Sequence, residues 1–192
     1  MPARKTPIEV HPLTPDRWAD FAELFGPRGA YAGCWCMWWR LARSEFTKNQ
    51  GEGNRRAMKK LVDSGRTPGL LAYADGKAVG WCAVAPREEF ASLERSRVLK
   101  RLDDEPVWSI VCFFIAKGWR GRGVGEALAR GAIRHAKSRG GKILEAYPTH
   151  PRGKELPPVS SFMGLPSLFE KVGFTQVARP SEAKVILRKT LR

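Results

Sequence analysis

The 192-residue chain lacks a long apolar segment. Its most apolar run, VWSIVCFFIA, covers only residues 107–116, whereas a membrane-spanning helix needs about 20 residues of that kind. The N-terminal MPARKTPIEV turns polar before an apolar run can form, so it does not resemble a secretory signal. We therefore expect one cytoplasmic domain spanning residues 1–192, without a membrane partner.

Cysteine is also scarce, with four residues: Cys34, Cys36, Cys82 and Cys112. Cys82 and Cys112 lie in apolar, strand-like runs, which favours reduced thiols over a disulfide framework. Cys34 and Cys36 belong to GCWCMWWR, residues 33–40. A zinc site needs about four ligands at recognisable spacing, and no such partners accompany this pair. We predict no metal site.

Acidic residues are few, because 19 Asp plus Glu stand against 34 Lys plus Arg, for a net charge of +15. This excess favours an anionic partner such as nucleic acid, an anionic membrane or a phosphorylated cofactor, although a basic solvated surface explains it equally well. The basic residues are spread through helices and tails without a zinc-finger or RNA-binding pattern, which argues against nucleic acid. The sequence leaves open whether the protein forms a homodimer.

Apolar periodicity predicts a mixture of strands and helices. Residues 69–86 contain two apolar runs around Asp75-Gly76, a strong hairpin signal. The run at 107–116 is typical of a strand buried on both faces, and residues 124–139 follow an amphipathic helical pattern. We interpret the charge-dense residues 87–105 as a solvated helix or loop. The other predicted elements are strands at 8–11, 142–147, 174–178 and 185–191, and helices at 17–25, 54–64 and from Pro166 onward.

The strongest local signal is the junction between strand 107–116 and helix 124–139, which contains RGRGVG at residues 120–125. Glycines let the backbone approach a ligand closely, and the unpaired N–H groups of a helix start attract an anion. No Lys-Ser or Lys-Thr follows, so the stretch is not a P-loop, and its spacing fits a dinucleotide fingerprint poorly. A pyrophosphate fits this geometry.

This junction resembles the signature of the GNAT N-acetyltransferase superfamily, [QR]-x-x-G-x-[GA], here Arg120-x-x-Gly123-x-Gly125. Residues 168–174, LFEKVGF, are similar to the family's Leu-Tyr-Glu-Lys-x-Gly-Phe. The resemblance implies a single-domain α/β (α+β) fold, in which a mixed and strongly bent sheet of about seven strands carries helices on both faces.

The same resemblance implies a function. The expected protein moves an acetyl group from acetyl-coenzyme A, by direct transfer, to an amine of a small-molecule or peptide acceptor. Residues 1–68 would form the acceptor side and residues 69–192 the acetyl-coenzyme A-binding core. The pyrophosphate would lie on the backbone of residues 120–125, and the pantetheine arm would pair with the fourth strand. The expected cofactor contacts are Phe113, Phe114, Ile115, Arg120, Gly121, Arg122, Gly123, Val124, Gly125, Ser161 and Phe169.

The chain departs from the family pattern in the LFEKVGF segment. The family often has a Tyr as its acid where this chain has Phe169, which has no proton to give. The family's Asn seven residues earlier is Phe162 here, so we expect cofactor contacts from Ser160 or Ser161 instead. Because the usual acid is absent, a module that binds acyl-coenzyme A without efficient catalysis is the alternative function.

Glu145 and Tyr147 are the predicted catalytic base and acid. They lie two residues apart, so they share one face of strand 142–147 near the expected separation of the fourth and fifth strands. Two alternatives stand beside this prediction. Glu145 pairs with a basic neighbour while Tyr147 packs in the core, or water takes the proton and no side chain is needed.

The tryptophans of GCWCMWWR are predicted to serve the acceptor. In the family this region borders the acceptor cleft, where an indole either packs in the core or forms a flat aromatic wall. We predict that Trp35 and Trp38 bind the acceptor, and that residues 87–105 and 148–166 lie beside it.

Overall fold

A seven-stranded mixed sheet organises the chain. The computed structural model describes residues 6–151 and 161–192. The strands lie in the order β1-β2-β3-β4-β5-β7-β6, and only β4 and β5 pair in parallel. The predicted fold class is confirmed. The strands are β1 Glu9–Pro12, β2 Gly69–Ala74, β3 Lys77–Pro86, β4 Trp108–Ile115, β5 Ile143–Ala146, β6 Thr175–Ser181 and β7 Lys184–Thr190.

Six α-helices accompany the sheet in the described part of the chain: α1 Trp18–Phe25, α2 Arg43–Lys48, α3 Glu52–Asp63, α4 Ala91–Glu94, α5 Val124–Ser138 and α6 Pro166–Glu170. The sequence did not predict α2, because a helix of one or two turns is too short to show a period; α4 lies within residues 87–105, which were interpreted as a helix or loop without bounds. The other predicted elements are confirmed, with bounds that differ by a few residues. No described helix has the length and apolar character to cross a membrane.

Both faces of the sheet are covered. On the side that we call the α1 face, the sheet residues Trp81 and Val111, together with Tyr147 just beyond β5, pack with Phe21 of α1 and Leu93 of α4. On the α5 face, sheet residues that include Cys82 and Ile110 pack with Leu128 of α5 and Phe169 of α6. Strand β4 therefore contributes to two cores, which explains its continuous apolar run.

Strands β4 and β5 separate halfway along β4. They pair only from Trp108↔Leu144 to Ile110↔Ala146, although β4 continues to Ile115. At the same point, β4 has a bulge, because the β3 partners step from Val84↔Ile110 to Ala83↔Cys112. The edge of β4 at residues 111–115 therefore faces an opening, with residues 147–149 beyond β5 on the other side. We call this opening the β4–β5 gap.

The segment at residues 87–105 is less solvated than predicted. Arg87, Phe90, Leu93 and Leu99 are between 0% and 2% exposed, and the three apolar residues pack on the α1 face. The prediction of a solvated connection was wrong for these residues, because Phe90, Leu93 and Leu99 cover the sheet with apolar side chains and the buried Arg87 forms ion pairs with Glu94 and Glu145.

Candidate active site

The glycine-rich turn leads from β4 into α5. Gly121 and Gly123 have φ values of 71° and 85°, which favour glycine. No side chain caps the first turn of α5, and a Cβ built on either glycine would meet nothing within 4 Å. The N–H groups at the start of α5 therefore face an open surface, which is the geometry of an anion site.

Two arginines flank this turn. Arg120 and Arg122 are exposed; Arg120 Nε donates a 3.2 Å hydrogen bond to the Ile115 carbonyl, and the Arg122 guanidinium lies 5.4 Å from the centre of the Trp119 ring. Val124 is only 1% exposed, so its side chain is not available at the surface of the turn. The turn thus combines backbone donors with positive charge.

The edge of β4 is bridged by the chain itself. The Phe113 N–H donates a 2.6 Å hydrogen bond to the Phe162 carbonyl, and the Thr149 N–H donates one of 3.2 Å to the Gly164 carbonyl. Residues 161–164, which we call the strap, therefore cross the β4–β5 gap. Ser161 is the first residue of this strap, and Ser160 lies outside the described residues.

The predicted aromatic contacts divide between the two faces of the sheet. Phe169 is fully buried and packs against Phe113 and Phe174, with ring centres 5.9 Å and 5.3 Å away. Phe114 points to the α1 face, where its ring centre is 5.4 Å from that of Phe25. The position that often carries the family's acid is therefore an apolar support beneath β4.

Glu145 and Tyr147 do meet, deep inside the α1 face. They are 1% and 0% exposed, and the Tyr147 hydroxyl donates a 2.6 Å hydrogen bond to the Glu145 carboxylate. Arg188 Nε donates to the same carboxylate at 2.7 Å, and an Arg87 nitrogen lies 3.4 Å from it. Arg87 also donates to the Tyr147 oxygen at 2.9 Å, and the Ser109 hydroxyl lies 2.7 Å from that oxygen.

This network matches the alternative in which Glu145 pairs with basic neighbours and Tyr147 packs in the core. Burial raises the pKa of Tyr147 above its usual value, and the Glu145 charge raises it further. Tyr147 therefore holds its proton firmly. The catalytic roles of Glu145 and Tyr147 stay a prediction.

Three basic residues near the gap were missed by the sequence reasoning. Arg87 and Arg188 hold Glu145, and Lys184 Nζ lies 2.9 Å from Thr149 Oγ1. A weak signal existed in β7, where Lys184, Ile186 and Arg188 alternate with the buried Val185 and Leu187. Alternation alone does not say that a charged side chain lies on an interior face.

The tryptophan stretch adopts strained turns and not a regular helix. Trp35 and Cys36 have φ values of 45° and 59°. Trp35 is 5% exposed and packs against Phe25, with ring centres 5.8 Å apart, so it is a core residue. Trp38 is half-buried, and the Arg43 guanidinium lies 3.1 Å above its ring. The stretch is thus divided between core and surface.

The thiols interact without forming disulfides, since all four cysteines are free. Cys36 accepts hydrogen bonds from the Cys112 thiol and, at 3.1 Å, from the Trp81 indole, and these lower its pKa against the effect of burial. Within residues 6–151 and 161–192, no group of three or more His, Cys, Asp or Glu side chains is placed to hold a metal ion.

A separate cleft of about 590 Å³ lies at the β1–β2 edge of the sheet. Its lining includes Glu9, Asp16 and Asp20, and the Tyr73 hydroxyl donates a 2.6 Å hydrogen bond to Asp20. In the sheet, β3 lies between the two strands at this cleft and β4. The cleft therefore does not belong to the predicted site.

Comparison with known proteins identifies the family. The model of the acetyltransferase (GNAT) family matches residues 35–153, more than half of the chain. The chain belongs to the GNAT acetyltransferase family. No curated protein matches it significantly.

Solved GNAT structures share the fold at low sequence identity. The PaiA N-acetyltransferase of Thermoplasma acidophilum, solved with coenzyme A, is 14% identical, with a TM-score of 0.54 over 96% of this chain and 99% of that one. A GNAT acetyltransferase of Streptococcus agalactiae is 17% identical, with a TM-score of 0.57 over 95% of each chain. The putative acetyltransferase YncA of Salmonella typhimurium, solved with acetyl-coenzyme A, is 12% identical, with a TM-score of 0.53 over 96% of this chain and 94% of that one.

Proposed function

We propose that this GNAT protein transfers an acetyl group from acetyl-coenzyme A to an amine of a small-molecule or peptide acceptor by direct attack on the thioester. The observation that carries the proposal is the uncapped start of α5, which follows directly from the strand that borders the β4–β5 gap. Structures with coenzyme A or acetyl-coenzyme A among the fold neighbours support this choice of co-substrate.

The residues present fit the co-substrate. Backbone N–H groups of residues 120–125 would hold the pyrophosphate, with Arg120 and Arg122 supplying charge. The backbone of residues 113–115 would pair with the pantetheine arm, which would replace the Phe162 carbonyl as partner of the Phe113 N–H. Ser161 in the strap and Phe169 beneath Phe113 complete the proposed contacts.

Proton transfer needs no dedicated side chain in this proposal. The amine must lose a proton and the departing thiolate must gain one. The Glu145 carboxylate and the Tyr147 hydroxyl are saturated by Arg87, Arg188 and each other. We therefore propose that water takes the proton of the amine, that the thiolate leaves into solvent and is protonated there, and that Glu145 and Tyr147 have a positioning role in place of the base and acid roles predicted from the sequence.

The acceptor side is assigned to residues 1–68. Trp38 is the half-exposed indole of this region that the sequence predicted for acceptor binding. Arg43 covers its ring, so an acceptor that uses the indole face must displace that guanidinium. Trp35 would support the acceptor side from within the core, since its side chain is buried.

Phe169 favours a second candidate function, a module that binds acyl-coenzyme A without turning it over. Its side chain is buried among aromatic rings and has no proton for a leaving thiolate. Both functions use the anion site, and they differ only in whether the bound acyl thioester reacts.

Calorimetric titration with coenzyme A, followed by a screen of amines for release of free thiol from acetyl-coenzyme A, tests both. Binding together with amine-dependent thiol release is the expected result. Binding without release by any amine would favour the module, and an absence of binding would contradict both functions.

A further inference from the structure

Lys184 lies on the β5 side of the β4–β5 gap. It begins β7 and forms a bridge with Thr149, beyond the last residue of β5. Its Nζ lies 2.9 Å from Thr149 Oγ1 and 3.4 Å from the Tyr147 carbonyl. The amine is thus held by the chain segment that forms one wall of the gap.

The strap joins this amine to β4. Lys184 Nζ lies 3.3 Å from Met163 Sδ, and the preceding carbonyl, that of Phe162, accepts the Phe113 N–H. A ligand that takes over the Phe113 N–H must move Phe162, and Met163 follows it because the two residues are adjacent. Such a ligand would therefore uncover the Lys184 amine.

Among the described residues, the surroundings of Lys184 Nζ contain no counter-charge. All three contacts are uncharged, and no described carboxylate lies within ion-pair distance of it. The Tyr147 phenol is directed at Glu145 and Arg87, so only its carbonyl faces the amine. Thr149 and Met163 do not titrate in the neutral range.

Burial in these uncharged surroundings lowers the pKa of Lys184 to about 8. About half of the amine is then uncharged at pH 8, compared with about 0.4% for a lysine with the ordinary pKa near 10.4. Other lysines differ in their partners: Lys59 pairs with Asp63, and Lys189 Nζ contacts the Gly173 carbonyl.

We propose that Lys184 is itself an acyl acceptor, a modification site that reacts with the acetyl thioester bound in the β4–β5 gap. The nitrogen lone pair attacks the thioester carbonyl, a C–N bond forms and the C–S bond breaks. The proton lost by the nitrogen passes to the departing thiolate, so the products are Nε-acetyl-Lys184 and free coenzyme A. This inference rests on the proposed function, because it requires acetyl-coenzyme A at Phe113.

Acetylation changes the gap in two ways. It removes a basic group from the wall, and it adds an acetyl group beside the strap. We therefore expect the acetylated protein to bind coenzyme A more weakly than the unmodified protein, by about tenfold, which corresponds to a loss of about 1.4 kcal/mol.

The test uses the full-length wild-type protein at pH 8. Protein is incubated with acetyl-coenzyme A, digested with a glutamate-specific protease, and the acetylated fraction of each lysine is measured by mass spectrometry. Lys189, on the same strand, is the internal reference. We expect at least a tenfold higher fraction at Lys184 than at Lys189, suppression by excess coenzyme A, and loss of the difference in urea-unfolded protein. In Lys184→Arg, the acetylated fraction of every other lysine should stay at its wild-type level.

Coenzyme A binding, measured by calorimetry on the same sample, separates the two proposals. If coenzyme A binds and Lys184 is acetylated no more than Lys189, this inference is overturned while the proposed function stands. If coenzyme A does not bind, the proposed function fails as well. If Lys184 is selectively acetylated but excess coenzyme A does not suppress the reaction, the amine reacts without a thioester bound in the gap. That result would also overturn this inference.

Discussion

The backbone N–H of Phe113 donates a 2.6 Å hydrogen bond to the carbonyl oxygen of Phe162. This contact satisfies the edge of β4 where β5 has diverged, so the chain covers its own open sheet edge. A pantetheine arm that pairs with β4 must first break this bond. A hydrogen bond of this type contributes about 0.5–1.5 kcal/mol, so the strap is a modest competitor of the co-substrate.

Loosening the strap should strengthen coenzyme A binding. The Phe162 side chain packs on the α1 face, and Phe162→Ala removes that anchor while leaving the backbone carbonyl. We expect the Kd for coenzyme A to fall by roughly two- to tenfold, the equivalent of the hydrogen bond that binding breaks. Leu165→Ala, at an exposed position just beyond the strap, is the control and should leave Kd unchanged. An unchanged or higher Kd in Phe162→Ala would show that the strap does not compete.

Charge reversal at the start of α5 should weaken coenzyme A binding. Arg122 is exposed at the glycine-rich turn, and a charge-assisted hydrogen bond to phosphate is worth about 1.5–3 kcal/mol. Titration calorimetry of Arg122→Glu should give a Kd roughly 10- to 100-fold higher than that of the wild type. Arg134→Glu makes the same change at an exposed position further along α5 and should alter Kd by about twofold or less. Equal losses in the two variants would indicate an effect of net charge and not a local site.

Removing the Tyr147 hydroxyl should lower the free energy of unfolding and change kcat little. Tyr147→Phe leaves Arg87 and Glu145 short of a buried hydrogen-bond partner, a loss of about 1–3 kcal/mol in the free energy of unfolding. Denaturant titration should detect it, whereas kcat for amine acetylation should stay within about threefold of wild type. Tyr73→Phe, which removes a half-buried hydroxyl at the other edge of the sheet, is the matched control and should cost less stability. A large drop in kcat at unchanged stability would instead restore Tyr147 as a catalytic acid.

The two predicted acceptor tryptophans should respond differently to truncation. Trp35→Ala empties a core position and should lower the free energy of unfolding by about 3–5 kcal/mol. Trp38→Ala should leave the fold and the Kd for coenzyme A close to wild type and raise KM for the acceptor. Thermal unfolding and steady-state kinetics separate these outcomes. If KM is unaffected in Trp38→Ala, the assignment of that indole to the acceptor fails.

Lys184 should make stability depend on pH in the alkaline range. Its pKa of about 8 in the folded state lies below the ordinary lysine pKa of 10.5. Between these values the unfolded chain holds a proton that the folded chain has lost, so stability rises with pH across this window; below pH 8 the full cost of burying the ammonium applies. The Tm of the wild type should therefore increase relative to that of Lys184→Met between pH 8 and 10. A constant difference in Tm would contradict the lowered pKa.

Local elements of the fold were predictable because their causes lie close together in the chain. Asp75 and Gly76 adopt left-handed φ values of 50° and 73° and form the predicted hairpin turn between β2 and β3. The alternating glycines at 121 and 123 likewise place an open helix start after a buried strand. Short helices such as α2 escaped prediction, because six residues show too little periodicity.

The sequence by itself determined the order of the elements, the glycine-rich anion turn and the apolar residue at position 169. Tertiary structure decided that Glu145 lies between Arg87 and Arg188 and that the Phe162 carbonyl accepts the Phe113 N–H. It also decided that Lys184 Nζ contacts only uncharged groups among the described residues. The physical reason is distance along the chain. Arg87 and Glu145 are separated by 58 positions, and burial, charge pairing and pKa depend on which distant segments the sheet order brings together.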